Sequence, residues 1–163
     1  HGVYRIDPDG TVARVLTEPE VVRPNGIVIS PDDLTLYVIE TEQREGGARL
    51  IRAYDLAEDG TVGNHRVFHD FYPGRSGDGM TIDSQGNLYV AAGLNALRGT
   101  SETLDTRAGI HVFSPAGQLL EHIPIPEDTI TNAAFGGDDM RTLYVTAGKT
   151  VYTFRTDIEG TRR

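Results

Sequence analysis

The chain has 163 residues, of which 38% are hydrophobic and 24% charged, a balance typical of a folded globular domain. Its 24 acidic and 15 basic residues give a net charge of −9, which opposes binding to nucleic acid and to anionic membrane surfaces. The absence of cysteine excludes disulfides, thiolate metal sites and cysteine nucleophiles, and no apolar run approaches the roughly 20 residues that span a bilayer.

The sequence opens inside a strand-like pattern, HGVYRID, without an initiator methionine, a charged leader or an apolar signal segment. We therefore expect it to start partway through a larger protein, from which a signal peptide could have been lost. We expect a soluble protein, and its compartment, cytoplasmic, periplasmic or secreted, stays open.

Strand-like segments of two alternating kinds follow one another along the chain. In chain order they are GVYRIDPDGTVARVL from Gly2, PNGIVISPDDLTLYVIET from Pro24, LIRAYDLAEDGTVGNHRVF from Leu50, GDGMTIDSQGNLYVAAG from Gly77, GIHVFSPAGQLLEHI from Gly109, TNAAFGGDDMRTLYVTAG from Thr131 and the partial TVYTFRTD from Thr150. Each complete segment has two runs of alternating apolar residues around a turn of Asp, Pro or Gly, which predicts a β-hairpin.

Two consecutive hairpins make a four-stranded antiparallel unit, and a repeat of roughly 40 to 50 residues built of four strands is typical of a β-propeller. We predict an all-β fold, a β-propeller fragment of about three blades, with two blades complete and pieces of others at both ends. Residues 1–163 would form one partial domain without a linker, its N-terminal blades missing. Uncovered blade faces and strand edges would favour self-association.

Three polar residues recur at the mouths of repeated strands: Asn25, Asp78 and Asn132, separated by 53 and then 54 residues. The first strand of each propeller blade lies beside the central channel, so these side chains are expected to face a shared cavity. Converging carboxylate and amide oxygens suit a hard cation such as calcium or magnesium. The alternative is that Asn25 and Asp78 only form turns before their strands.

The segments that carry these residues resemble the SMP-30/gluconolactonase family, six-bladed propellers that use a divalent metal to hydrolyse lactones and related esters. The resemblance covers essentially the whole chain and corresponds to about the C-terminal half of a family member. It implies that Asn25, in the Pro-Asn-Gly turn, is a metal ligand. It also implies that Asp78, in the Asp-Gly-Met turn, is both a metal ligand and the general base, although activation of the water by the metal stays an alternative.

The resemblance thus implies a metal-dependent hydrolase acting on a small-molecule lactone, with calcium as the first choice of metal and zinc, magnesium or manganese as alternatives. Asn132 is assigned to substrate binding at the cavity rim from its repeat position alone. Family members draw a further ligand, a Glu, and a substrate-contacting Asn and Arg from earlier parts of the propeller, which cannot be located here. We therefore expect residues 1–163 alone to be inactive, whatever the full-length parent does.

A non-catalytic propeller built of NHL-like repeats, which would bind a protein or a carbohydrate, is the alternative function, because its repeat phrase overlaps with residues 78–90. The stretch GRSGDG at residues 74–79 resembles a nucleophile elbow, but Asp78 stands where that motif needs glycine, so Ser76 is interpreted as a loop residue. His65 and His69 share a strand face and are interpreted as surface or packing residues. The long connection at residues 94–109 is either a channel lid or a surface insertion.

Overall fold

The computed structural model describes residues 1–162, and its regular elements are thirteen strands in four antiparallel sheets. The first sheet contains β1 (Gly2–Ile6) and β2 (Val12–Thr17), and the second contains β3 (Pro24–Ile29), β4 (Thr35–Thr41), β5 (Arg49–Leu56) and β6 (Val62–Asp70). The third contains β7 (Gly77–Ile82), β8 (Leu88–Ala92), β9 (Gly109–Phe113) and β10 (Leu119–Pro124), and the fourth contains β11 (Ile130–Gly136), β12 (Thr142–Ala147) and β13 (Thr150–Arg155).

Within every sheet, strands that are neighbours in sequence are also neighbours in space. Two sheets have the full four strands and those at the ends of the chain have two and three, so the expected pattern of two complete blades with flanking pieces is confirmed. The acidic turns DPDG and AEDG join β1 to β2 and β5 to β6. Within residues 1–162 there is no helix long and apolar enough to cross a membrane.

The hydrophobic core lies between successive sheets rather than in one central mass. Strand β8 is buried along its whole length because its two faces serve two different cores. Leu88, Val90 and Ala92 face the second sheet, while Tyr89 and Ala91 face the fourth. Strand β4 is used in the same way between the first and third sheets. Side chains alternate along a strand, so a strand between two cores is apolar at nearly every position.

The first strands of successive sheets lie side by side, with β3 against β7 and β7 against β11. Glycines make this close approach possible. A Cβ atom on Gly26 would lie 2.6 Å from the carbonyl oxygen of Asp78, and one on Gly79 would collide with the side chain of Asn132. This close contact brings together the strand ends that carry the polar residues.

A cluster of histidine and phenylalanine rings is packed away from those strand ends, between the second and third sheets. His69 lies 4.4 Å from Phe113, and His111 lies 4.8 Å from His122, measured between ring centroids. The Nε2 atom of His111 donates to the carbonyl of Arg107 at 2.9 Å. The interpretation of His69 as a packing residue fits this environment, whereas His65 contacts Arg52 on the surface.

Burial lowers the pKa of His111 from 6.5 to about 4, and the neighbouring His122 and His69 act in the same direction. The unfolded chain therefore binds a proton at His111 between pH 6.5 and 4 that the folded chain does not. The free energy of unfolding should fall by up to about 3 kcal/mol from this residue as the pH is lowered through that range. His111→Gln, which keeps an N–H donor and cannot titrate, should show a shallower decline in denaturant titrations at several pH values. Equal pH dependence in both proteins would contradict this assignment.

Candidate active site

The candidate site lies where the first strands of the second and third sheets each contain a β-bulge. In β3, Pro24 pairs with Glu40 and Ile27 with Val38, so two residues, Asn25 and Gly26, oppose one residue of the partner strand. The same irregularity in β7 falls on Asp78 and Gly79. A bulge turns a side chain away from the regular pleat, which aims the side chains of Asn25 and Asp78 out of the sheet register.

The register corrects the alignment of the third repeated residue. The valines of the Leu-Tyr-Val stretches in β4 and β8 pair with Ile27 and Met80, two positions after Asn25 and Asp78, whereas the valine of β12 pairs with Ala133, only one position after Asn132. Counting back from Ala133 gives Thr131 as the equivalent of Asn25 and Asp78, so the assignment of Asn132 to that place is wrong by one residue. Asn132 instead occupies the position of Gly26 and Gly79.

Asn25 and Asp78 meet as expected, although they are 53 residues apart in the chain. The Nδ2 atom of Asn25 donates to Oδ1 of Asp78 at 2.6 Å. Asn25 is exposed and the Asp78 side chain is 26% exposed, so both can be reached by a small ligand. The pair therefore forms an accessible polar contact between the first strands of two sheets.

Arg75, which the sequence interpretation did not consider, holds the other oxygen of Asp78. Its Nη2 atom donates to Oδ2 at 2.7 Å, and its Nη1 atom donates to the carbonyl of Ile130 at 3.1 Å. The Arg75 side chain is only 5% exposed, and burial lowers the pKa of its guanidinium, an effect that the nearby Asp78 carboxylate opposes. Because guanidinium stays protonated in proteins, a fixed positive charge lies behind the carboxylate and Oδ1 is the oxygen that faces Asn25.

Asn132 is exposed and lies directly beside Gly79, next to Asp78 in the chain. Its Oδ1 atom accepts the backbone N–H of Ala133 at 2.9 Å, which leaves its amide nitrogen available at the rim of the site. The hydroxyl of Thr131 is engaged with Thr146. Asn132 therefore lies near the candidate site because it is adjacent to Gly79, and not because it shares the repeat position of Asn25 and Asp78.

The residues present offer hard oxygen ligands of the kind that divalent cations bind. The Asn25 amide can present its oxygen in place of its nitrogen by a half-turn of its terminal torsion, and Asp78 supplies a carboxylate oxygen. These are two protein ligands, whereas calcium takes 6–8 oxygens, so any further ones must come from water, substrate or other parts of the protein. Within residues 1–162, no group of three or more His, Cys, Asp or Glu residues could hold a metal ion.

The turns that carry Asn25 and Asp78 are both attached to Glu40, a fully buried residue of β4. Its carboxylate accepts the backbone N–H of Arg23 at 2.9 Å, and its carbonyl oxygen accepts the hydroxyl of Ser76 at 2.7 Å. Ser76 is 1% exposed and its proton is committed to that carbonyl. This geometry agrees with the rejection of Ser76 as a nucleophile, although the residue is buried and is not a simple loop residue.

The connection at residues 94–109 is anchored by buried charge. Glu102 accepts hydrogen bonds from Arg98 at 2.7 Å and from the hydroxyl of Thr100 at 2.8 Å, and its side chain is 1% exposed. These hydrogen bonds outweigh the effect of burial and lower the pKa of the Glu102 carboxyl. Arg98 also reaches the hydroxyl of Thr129, just before β11, at 3.5 Å. The connection at residues 94–109 is therefore attached to the start of β11, an inner strand, where it can border the candidate site.

Arg49 forms hydrogen bonds with three of the connections between strands. It is 1% exposed, and its guanidinium donates to the carbonyls of Glu42 at 3.0 Å and Pro73 at 2.7 Å. It also donates to the carbonyl of Ser101 at 3.2 Å. These carbonyls belong to the β4–β5, β6–β7 and β8–β9 connections, so one side chain holds the loops that surround the candidate site.

A cleft of about 560 Å³ opens beside the Asn25 turn. Its lining includes Val22, Arg23, Glu42, Arg44 and Thr100. Asn25 and Asp78 do not line it, so the cleft adjoins the polar pair and does not contain it. Its charged rim is compatible with a polar ligand that extends away from the pair.

Comparisons with known proteins identify the family. The family model described as SMP-30/Gluconolactonase/LRE-like region matches residues 1–149. A gluconolactonase from Zymomonas mobilis is 32% identical over 98% of this chain and 42% of its own length. The crystal structure of a gluconolactonase from Xanthomonas campestris superposes with a TM-score of 0.73 at 31% identity, over 99% of this chain and 45% of that chain. The chain spans about half the length of the relatives it matches, or slightly less.

Proposed function

This chain belongs to the SMP-30/gluconolactonase/LRE-like family, and we propose that its full-length parent is a lactonase that uses a divalent cation held by Asn25 and Asp78. The observation that carries the proposal is the 2.6 Å contact between these two side chains across the first strands of neighbouring sheets. Folding alone does not require an exposed amide and a partly exposed carboxylate to meet there. A hydrolytic site does require oxygen ligands beside an accessible cavity.

A bound cation would polarise the lactone carbonyl and stabilise negative charge on its oxygen. Residues of the chain would carry out the proton transfer and bind the substrate. Arg75 keeps Oδ2 of Asp78 occupied, so Oδ1 is the oxygen left to face the cation and the attacking water, and it would accept a proton from that water. The water oxygen adds to the carbonyl carbon, the ring C–O bond then breaks, and the proton held by Asp78 passes to the ring oxygen. The product is an open-chain hydroxy acid, and Asp78 returns to its carboxylate form. Asn132 offers its amide nitrogen to a substrate hydroxyl at the rim.

The substrate class follows from the named relatives. Gluconolactonases and a 6-deoxy-6-sulfogluconolactonase of Pseudomonas putida at 33% identity favour a sugar-derived lactone. Calcium is the first candidate for the cation, and magnesium, manganese and zinc are alternatives because amide and carboxylate oxygens bind all four. We expect the missing part of the propeller to complete the metal shell.

The test is hydrolysis of a panel of sugar lactones by the full-length protein, before and after treatment with a chelator. We expect chelation to lower the rate by at least about 100-fold, because loss of the cation removes several kcal/mol of transition-state stabilisation. Adding back each of the four metals separately should identify the cation. Absence of metal-dependent hydrolysis by the folded full-length protein across the panel would reject the proposal and favour a non-catalytic binding propeller.

A further inference from the structure

Glu40 forms hydrogen bonds with both of the turns that carry Asn25 and Asp78. On one side, its carboxylate accepts the backbone N–H groups of Val22 at 3.0 Å and of Arg23 at 2.9 Å. These N–H groups immediately precede the Pro24-Asn25 turn. A buried carboxylate that receives two backbone N–H groups fixes the path of the chain that donates them.

On the other side, the main-chain carbonyl of Glu40 accepts the hydroxyl of Ser76 at 2.7 Å, and both groups are buried. Ser76 stands two residues before Asp78, and it lies in the neighbouring sheet's connection. The hydrogen bond therefore crosses the boundary between two blades. It holds the start of β7 against the strand to which the Asn25 turn is attached.

The charge of Glu40 is compensated inside the blade. Arg52 on β5 lies 3.5 Å from the carboxylate, and its side chain is 15% exposed. Neutral packing at position 40 would be simpler, because burying a carboxylate costs free energy unless hydrogen bonds and a counter-charge replace water. The role of Glu40 therefore lies in where it places the backbone.

We propose that Glu40 is a positioning residue that sets the relative placement of Asn25 and Asp78 and thereby the affinity of the site for its cation. The part of this inference that concerns cation affinity rests on the proposed function. Glu40 does not contact the ligand; its carboxylate acts on Asn25 through the N–H groups of residues 22 and 23, and its main-chain carbonyl acts on Asp78 through Ser76. Groups that hydrogen-bond directly to metal ligands typically contribute 10–100-fold to affinity, and Glu40, one contact further away, is expected at the lower end of that range.

The experiment compares Glu40→Gln with Asp83→Asn in the full-length protein. Asp83 is a matched control, because it is also fully buried and its carboxylate also accepts two backbone N–H groups, those of Gln85 and Asn87, each at 2.9 Å. Asp83 lies at the opposite end of β7 from Asp78. Both variants should lose stability, but only Glu40→Gln should alter the candidate site.

Two readouts are used. In calorimetric titration with calcium alone, Glu40→Gln should raise Kd by about tenfold or more, while Asp83→Asn should change it by less than about twofold. In amide hydrogen exchange without metal, Glu40→Gln should speed exchange at residues 22–26, because the substitution weakens the acceptor of the Val22 and Arg23 N–H groups. Ser76→Ala should speed exchange at residues 77–79, because it removes the hydroxyl that bonds to the main-chain carbonyl of Glu40, and Asp83→Asn should do neither. Ser76→Ala should also raise the calcium Kd, which keeps the test decisive if Glu40→Gln folds poorly.

Unchanged exchange at residues 22–26 in Glu40→Gln or at residues 77–79 in Ser76→Ala, or a Kd unchanged in both variants, would overturn the inference. A parent protein that binds no calcium or other divalent cation would reject the proposed function instead. In that case the exchange measurement alone decides whether Glu40 positions both turns. The two failures are therefore distinguishable.

Discussion

Replacing Asp78 with asparagine in the full-length protein is expected to lower kcat/KM for lactone hydrolysis by at least about 100-fold, the lower end of what a general acid or base contributes. Asparagine keeps the shape of the side chain but removes the negative charge that attracts a cation and the oxygen that accepts a proton. The calcium Kd should rise in parallel. Asn25→Ala should weaken cation binding as well, by at least the roughly tenfold typical of losing an outer-shell partner.

The Asp78 experiment needs a control for stability, because the variant leaves the buried Arg75 with a neutral partner. Asp139→Asn is suitable: it removes a carboxylate from an exposed ion pair with Arg155, at the opposite end of β11 from Asn132. It should leave both rate and calcium affinity unchanged. If Asp78→Asn is folded and hydrolyses lactones within about threefold of the original protein, Asp78 is neither base nor essential ligand.

The strands could be predicted from the sequence because the hydrophobic pattern encodes the sheets directly. The Leu-Tyr-Val stretches of β4 and β8 are buried on both faces because these strands lie between two cores, whereas in β12 only Leu143 and Val145 are buried and Tyr144 is exposed. Asp-Gly turns between them mark the hairpins. The meeting of Asn25 and Asp78 followed from the same repeat, since equivalent strand ends of successive blades lie side by side.

The third repeated residue could not be predicted because the turns of the three hairpins differ in length. All three first strands contain the same bulge, but the valine and its partner are 11 residues apart in the hairpin of β3 and β4, 10 in that of β7 and β8 and 12 in that of β11 and β12, so an alignment by eye slips by one position. Asn132 was aligned with Asn25 and Asp78 because it is the amide residue nearest to the spacing of 53 residues between those two. Thr131, the true equivalent, has a side chain that does not stand out in a turn.

The supporting residues were missed for a different reason. Arg75, Glu40 and Arg49 act through hydrogen bonds to residues distant in sequence or to main-chain atoms, which a pattern of side chains does not reveal. One signal was available for Glu40: it is a charged residue in the apolar run LYVIET, and a charge in a buried strand requires partners. Arg49 gave no such signal, because it stands at the junction of a polar loop and a strand.

Arg49→Met is expected to lower the free energy of unfolding by about 3 kcal/mol, because hydrogen bonds from a buried charged donor are worth more than neutral ones and their carbonyl acceptors would lose their partner. Arg49→Lys keeps the charge but offers a single ammonium in place of a planar five-donor fork, so roughly half of that loss should remain. The guanidinium also lies 5.2 Å from the ring of Tyr72, a cation–π contact that methionine cannot make. Denaturant titration of the three full-length proteins measures these differences.

Arg155→Met is the matched control, because Arg155 pairs with Asp139 on the surface, where both side chains are more than half exposed. Exposed ion pairs contribute little to the free energy of unfolding, so this variant should stay within about 1 kcal/mol of the original protein.

Hydrogen exchange distinguishes a local effect of Arg49 from a global one. Arg49→Met should speed exchange at residues 42–44 and 100–102 more than it does in the sheets. If the loss is uniform, Arg49 stabilises the fold as a whole. If it is confined to the loops, the site is held in shape by a side chain that contacts neither Asn25 nor Asp78, and activity should fall more than stability predicts.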